Sequence, residues 1–104
     1  MKNLEQTNKY ILLIGLNDKD TKTQKVTTQD AMKLVTNVVG DNTMQIVQGH
    51  YTHEDGTKVD ETTLKVELLF KEESDIQNYC KNLKTLLNQE SIAVTREINM
   101  SALW

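Results

Sequence analysis

Proline is absent from this sequence of 104 residues, which has only four glycines and a single cysteine. Proline-rich and glycine-rich stretches mark linkers and low-complexity segments, so their absence predicts one domain over residues 1–104. The lone cysteine, Cys80, excludes a disulfide within the chain and favours a cytoplasmic location. Residues 1–8 are polar, and we expect them to form a flexible N-terminal segment.

Arginine and long apolar runs are also scarce. Arg96 is the single arginine among twelve basic residues, and the formal net charge is −3. Because arginine is the usual residue for bidentate contacts to phosphate and guanine, nucleic-acid binding is disfavoured. The longest apolar run, YILLIGL, has seven residues, which is far short of a membrane span. We therefore expect no nucleic-acid partner and no membrane contact.

Apolar periodicity divides the chain into six elements. Four segments are β-branched or alternate between apolar and polar residues, which predicts strands at residues 10–17, 43–52, 58–70 and 91–99. Two segments repeat apolar residues at helical spacing, which predicts helices at residues 27–40 and 74–89. Thr27 and Ser74 are suited to cap the starts of these helices, and Gly40 to end the first.

The order of these elements is β-α-β-β-α-β. Two β-α-β units with right-handed crossovers give a four-stranded antiparallel sheet with both helices on one face. The sequence therefore predicts an α+β fold, the ferredoxin-like plait. In that fold the first and third strands form the central pair, and these strands are the most apolar in the chain.

The second and third predicted strands are joined around "GHYTHEDG", residues 49–56, and two turns can close this hairpin. A two-residue turn at Asp55-Gly56 opposes Ile46 to Lys65. A three-residue loop that adds Glu54 places Gly56 in a left-handed conformation and opposes Ile46 to Leu64. The second register pairs apolar side chains better, and the buried face decides the register.

Both histidines of the chain lie in this stretch. His50 and His53 are three residues apart, so in a strand they point to opposite faces, and we expect no metal site. The favoured register opposes His50 to Asp60, as a solvated cross-strand pair or as a general base with its orienting acid. Glu61 is a further candidate for acid–base chemistry, although solvation of a polar strip explains it adequately.

One face of a plait's sheet is not covered by helices, and in this chain it is predicted to be partly apolar. The first strand is apolar on both of its faces, with one set formed by Tyr10, Leu12, Ile14 and Leu16 and the other containing Ile11 and Leu13. Whichever set faces the helices, the other leaves apolar side chains exposed. We expect a homo-oligomer, in the form of a homodimer, that pairs through this face. The interface residues that this predicts are Val47, Tyr51, Leu69 and Trp104.

Two further segments carry a resemblance. The opening KYILLIGLNDKDTK and the later LLNQESIAV resemble a group of small uncharacterised proteins of Gram-positive bacteria, often found on mobile elements or phages. No activity and no site residue come with this resemblance. It implies an accessory or host-interference role.

Three functions remain open, and fold alone does not decide among them. Because no catalytic set converges in the sequence, the main prediction is a small non-enzymatic interaction or regulatory module without a cofactor, self-associating through its sheet. The first alternative is a phage-encoded or mobile-element-encoded inhibitor that binds a host protein through its acidic, arginine-poor surface. The second is a small dimeric enzyme that uses His50 with Asp60, or Glu61.

Overall fold

Four strands and two helices follow one another in the predicted order. In the computed structural model, which describes residues 3–104, they are β1 (Glu5–Gly15), α1 (Thr28–Val39), β2 (Thr43–Thr52), β3 (Lys58–Leu69), α2 (Glu73–Leu86) and β4 (Ala93–Ser101). The strands form one antiparallel sheet in the order β2-β3-β1-β4. The ferredoxin-like plait is confirmed, with β1 and β3 at its centre. Within the described range, no helix is long and apolar enough to cross a membrane.

The core lies between the helices and one face of the central strands. Leu12 and Ile14 of β1 and Leu64 of β3 are fully buried there. The helices and the residue that follows α2 contribute the apolar side chains that pack on these strands: Ala31, Val35, Val39, Ile76, Leu83 and Leu87. The sequence left open which set of β1 faces the helices, and the structure assigns this role to Tyr10, Leu12, Ile14 and Leu16. Ile11 and Leu13 therefore lie on the opposite face, which we call the open face.

The ends of α1 are those predicted, whereas the start of α2 is not. Thr27 accepts a hydrogen bond from the Asp30 N–H at 3.1 Å, and Gly40 ends α1 with a φ of 76°. Glu72, not Ser74, is the cap of α2, because its own N–H donates to the Asp75 carboxylate at 3.0 Å. Ser74 lies inside the first turn of the helix.

The hairpin between β2 and β3 has the three-residue loop that apolar matching predicted. The opposed pairs are Met44 with Val66, Ile46 with Leu64, and His50 with Asp60. Gly56 has a φ of 85°, and its N–H donates to the His53 carbonyl at 2.9 Å. A left-handed glycine after a tight turn lets the strands continue in register.

The prediction of a flexible segment over residues 1–8 requires correction. Residues 1–2 lie outside the described residues, but β1 begins at Glu5, where the chain pairs with Ser101 of β4. The pairing continues along β1 to Leu13. Polar sequence did not prevent strand formation here, because the cross-strand ladder satisfies the backbone groups whether or not the side chains are buried.

We predict that Leu64→Ala lowers the free energy of unfolding by about 2–5 kcal/mol, because it leaves a cavity in a fully buried site. Its cross-strand partner provides a matched control, since Ile46 is 57% exposed. Ile46→Ala should cost about 1 kcal/mol or less. Urea denaturation of both variants measures the difference, and equal losses would contradict this core.

Candidate functional site

A cleft opens on the open face, at the end of the sheet where β1 finishes. Its floor is formed by Leu13, Gly15 and Glu61. One side wall is the tip of the β2–β3 hairpin, and the other is the chain between α2 and β4. The wall residues are Tyr51, Thr52 and His53 on the hairpin, and Gln89, Glu90, Ser91 and Ala93 opposite; Asn17 and Lys19 complete the lining. The volume of the cleft is about 200 Å³.

Glu61 places a carboxylate on the floor of the cleft. Glu61 is 9% exposed, and its carboxylate oxygen Oε2 accepts a hydrogen bond from the Asn17 N–H at 2.8 Å. The space for this carboxylate exists because the neighbouring strand has a glycine: a Cβ added at Gly15 would collide with the Glu61 side chain. Burial of a carboxylate is costly unless it is hydrogen-bonded, and the Asn17 N–H supplies such a hydrogen bond.

Tyr51 is held over the sheet by a second glycine and a threonine. A Cβ at Gly49 would collide with the Tyr51 ring and with the Thr63 hydroxyl. The Tyr51 hydroxyl lies 3.2 Å from Thr63 Oγ1, and Thr63 is fully buried. The Thr63 Oγ1 also lies 3.3 Å from the Glu61 carbonyl, an acceptor for its hydroxyl proton.

His53 and Glu90 join the two side walls. Nδ1 of His53 lies 3.4 Å from Oε2 of Glu90, and the two residues are 37 positions apart in the chain. The His53 side chain is 17% exposed, and its Nε2 is buried with no hydrogen-bond partner among the described residues. The contact therefore ties the hairpin tip to the segment that precedes β4.

The His50–Asp60 pair lies outside the cleft. Nδ1 of His50 is 2.6 Å from Oδ1 of Asp60, but the side chains are 72% and 73% exposed. The pair is therefore the solvated cross-strand contact, and the structure does not bring it to Glu61. His50 and His53 contact different carboxylates, and in residues 3–104 no three His, Cys, Asp or Glu side chains group as a metal site requires.

The predicted interface residues occupy different places. Tyr51 is 37% exposed at the cleft, Val47 is half-buried, and Leu69 is 40% exposed near the opposite end of β3. Trp104 is 89% exposed, and its neighbour Leu103 lines a hollow together with Leu69. Self-association through this face stays a prediction.

The polar strip of β3, which includes Glu61 and Thr63, is less exposed than predicted. A solvated strip was the expected explanation of Glu61, yet both residues are buried. The signal that could have found them is the position of two glycines inside strands, since a strand glycine often marks a close approach of other groups. Gly15 lies opposite Thr63, and Gly49 opposite Glu61, so the glycines flank the strip on both sides.

The loop after β1 contains a buried acidic residue. Asp18 is 8% exposed. Its carboxylate accepts the Asn88 side-chain amide at 2.9 Å and the backbone N–H groups of Asp20 at 2.9 Å and Thr21 at 3.0 Å. The Asn88 amide, then these N–H groups and nearby Lys25, hold the pKa of Asp18 well below its ordinary value. The loop that ends the cleft is therefore anchored by an ionised carboxylate.

Solved structures of other proteins are similar to this chain over almost its whole length. No protein-family model matches the chain, and no curated protein matches it in sequence. A phage SAM lyase solved in complex with S-methyl-5′-thioadenosine is similar in structure, with a TM-score of 0.74 and 22% identity over 93% of this chain and 85% of that chain. A phage SAM lyase in the apo state has a TM-score of 0.68 and 18% identity, covering 100% of this chain and 98% of that one.

This likeness confirms the fold and corrects the functional prediction. The prediction of a non-enzymatic interaction or regulatory module is wrong, because the matched structures are those of an enzyme. The comparison favours the enzyme alternative. Of its candidate residues, Glu61 lines the cleft, whereas His50 and Asp60 lie outside it. The predicted link to phages is supported, while an origin in Gram-positive bacteria stays a prediction.

We predict that Gly49→Ala displaces the Tyr51 ring, because the added methyl group occupies the space of that ring. The ring resonances of Tyr51 should shift in NMR spectra, and the contact with Thr63 should be lost. Gly56→Ala is the control: its φ of 85° costs an alanine about 1 kcal/mol or more, but nothing lies within 4 Å of the new Cβ. Unchanged Tyr51 resonances in Gly49→Ala would contradict the close approach.

A second prediction concerns acid stability. Because the pKa of Asp18 is lowered on folding, its ionised form stabilises the fold above the ordinary value of 3.8, and this contribution is lost as the pH falls below it. The difference in unfolding free energy between the wild type and Asp18→Asn should therefore be largest near neutral pH and shrink below about pH 4. Chemical denaturation across this range measures it, with Asp41→Asn as control. A difference independent of pH would refute the role of the charge.

Proposed function

We propose that this chain binds S-adenosylmethionine (SAM) in the cleft and cleaves it to S-methyl-5′-thioadenosine. The observation that carries the proposal is the buried Glu61 carboxylate beside the Tyr51 ring, on the open face of the sheet. The likeness of the whole chain to phage SAM lyase, in one case with that thioadenosine bound, supports the choice of substrate.

The groups in the cleft match the chemistry of SAM. The substrate carries two positive charges, on the sulfonium sulfur and on the ammonium group, and a flat adenine ring. A carboxylate that is largely removed from water attracts such charges more strongly than an exposed one does. The Tyr51 ring offers a surface for stacking on adenine or for contact with a cation.

The proposed reaction breaks the bond between sulfur and Cγ of the methionine part. Without water as a reactant, the substrate's own carboxylate can attack Cγ and displace the sulfur. One C–O bond forms and one C–S bond breaks, the electron pair of the broken bond stays on sulfur, and no proton is transferred. The products are neutral S-methyl-5′-thioadenosine and homoserine lactone. The chain then acts mainly by holding the substrate in the folded conformation that this attack requires.

The charge changes in this reaction decide the best role for Glu61. The positive charge on sulfur disappears as the bond breaks, whereas the ammonium group keeps its charge throughout. A carboxylate placed at sulfur would stabilise the substrate more than the transition state and would slow the reaction. We therefore assign Glu61 to the ammonium group and Tyr51 to the adenosine part.

Binding also requires the cleft to widen. Its volume of about 200 Å³ is below the range of ~300–1,000 Å³ that is typical of ligand sites. Beyond Gly15 the β2–β3 hairpin continues as a two-stranded ribbon, and such ribbons are marginally stable by themselves. Release of the His53–Glu90 contact would let this ribbon move outward.

The phage link gives the proposal a setting. SAM is a methyl donor made and used in the cytoplasm, which is also the location that we propose for this chain. An enzyme that consumes it would deprive a host of methyl groups, which agrees with the host-interference role that the sequence resemblance implies.

The test of the activity is incubation of the purified chain with SAM in ¹⁸O-labelled water, followed by chromatography and mass spectrometry. We expect S-methyl-5′-thioadenosine together with unlabelled homoserine lactone at early times. Homoserine labelled in its hydroxyl group from the start would indicate hydrolysis instead. Formation of the thioadenosine no faster than in buffer would refute the proposed function.

We predict that Glu61→Gln weakens binding of SAM by about tenfold or more, the usual effect of losing a hydrogen bond to a charged group. Binding of S-methyl-5′-thioadenosine, which lacks both positive charges, should change by no more than about twofold. Glu67→Gln is the matched control, since Glu67 is on the same face of β3 but pairs with Lys9 at 2.8 Å. Isothermal titration calorimetry measures the thioadenosine affinity of the wild type and both variants, and the KM from initial rates of thioadenosine formation compares their affinity for SAM. Equal losses for both ligands in Glu61→Gln would contradict the assigned role.

A further inference from the structure

The two segments that carry the sequence resemblance contact each other behind the cleft. One is the loop after β1 and the other is the chain after α2. They are joined by four hydrogen bonds, from Gln89 Nε2 to the Asn17 carbonyl at 2.8 Å, from the Lys19 N–H to the Asn88 carbonyl at 3.0 Å, and from Asn88 Nδ2 to Asp18 Oδ2 and Asp20 Oδ2, each at 2.9 Å. Asn88 has a φ of 47°, a conformation that asparagine tolerates better than most residues.

Asn17 connects this contact to the cleft. Its carbonyl accepts from Gln89, and its N–H donates to the Glu61 carboxylate, both at 2.8 Å. The backbone of Asn17 is thus fixed on one side by Gln89 and fixes Glu61 on the other. A carboxylate that depends on one N–H for its direction follows that N–H when the loop shifts.

The burial and the hydrogen bonds of Gln89 suit a role in holding Asn17. The residue is 8% exposed, and its Nε2 also lies 3.3 Å from the Leu87 carbonyl, so both protons of the amide have acceptors. Nothing in the proposed reaction uses Gln89 directly. Its buried amide nitrogen donates to the carbonyl of the residue whose N–H holds Glu61.

We propose that Gln89 is a positioning residue: through the backbone of Asn17 it holds the Glu61 carboxylate in the direction needed to bind the ammonium group of SAM. This inference rests on the proposed function for its ligand. It adds that the selectivity for SAM over S-methyl-5′-thioadenosine depends on a residue 72 positions away from Asn17 in the chain.

The test compares Gln89→Met with Asn88→Gly. Methionine keeps the length of glutamine and removes both donors, whereas glycine removes the two hydrogen bonds of the Asn88 side chain and accepts its left-handed conformation. Both variants therefore weaken the same contact between the segments, and melting temperatures show how far each is destabilised. Gln89→Met alone should reduce SAM affinity by about fivefold or more while leaving thioadenosine affinity within about twofold. In the Glu61→Gln background, Gln89→Met should cost no further SAM affinity.

A second readout needs no ligand. The amide proton of Asn17 donates to a carboxylate, so its NMR resonance should move in Gln89→Met in the same direction as in Glu61→Gln, and stay in place in Asn88→Gly. An unmoved Asn17 resonance in Gln89→Met, or equal SAM losses in Gln89→Met and Asn88→Gly, would overturn the positioning role. If the wild type binds neither SAM nor the thioadenosine, the proposed function fails while the Asn17 resonance still decides the positioning role.

Discussion

The pairing of β1 with β3 is the constraint on which the rest of this molecule depends. Burial of Leu12, Ile14 and Leu64 beneath the helices fixes one face of both strands. Because side chains alternate along a strand, Glu61 and Gly15 must then project from the other face. A slip of one residue in this register would exchange the two faces and bury the carboxylate in the core. The same apolar contacts that stabilise the fold therefore place the groups of the cleft.

The Glu61 carboxylate of the cleft is largely removed from water. Transfer of a carboxylate out of water is costly, and the cost is offset here by the N–H of Asn17, whose carbonyl accepts a hydrogen bond from Gln89. Further along the same loop, the ionised Asp18 accepts a separate hydrogen bond from the Asn88 amide. Glu61 has more weight than the His50–Asp60 pair because its carboxylate is largely removed from water and lines the cleft, whereas that pair is solvated and lies outside it.

Much of the fold could be predicted because it depends on residues that are close together in the sequence. The site could not be predicted in this way, because its residues are far apart in the chain. The Thr27 cap and the Gly56 loop are determined by neighbouring residues, and the hairpin register by apolar matching over a short span. The early start of β1 was missed because its partner is β4, at the other end of the chain. Glu61 and Asn17 are 44 positions apart, and no spacing rule joins a backbone N–H to a remote carboxylate. The functional prediction failed for the same reason: it looked for catalytic side chains close together in sequence.

The glycines at positions 15 and 49 make the cleft sensitive to single-base mutations in their codons. The Glu61 carboxylate and the Tyr51 ring stand in volumes that other amino acids would fill. In a glycine codon, every change at the first or second base introduces a side chain or stops translation. A mutation at either of these bases therefore damages the cleft at once. A leucine or valine codon of the core can instead change to the codon of another apolar residue of similar size. Purifying selection should act on these codons more strongly than on the apolar codons of the core.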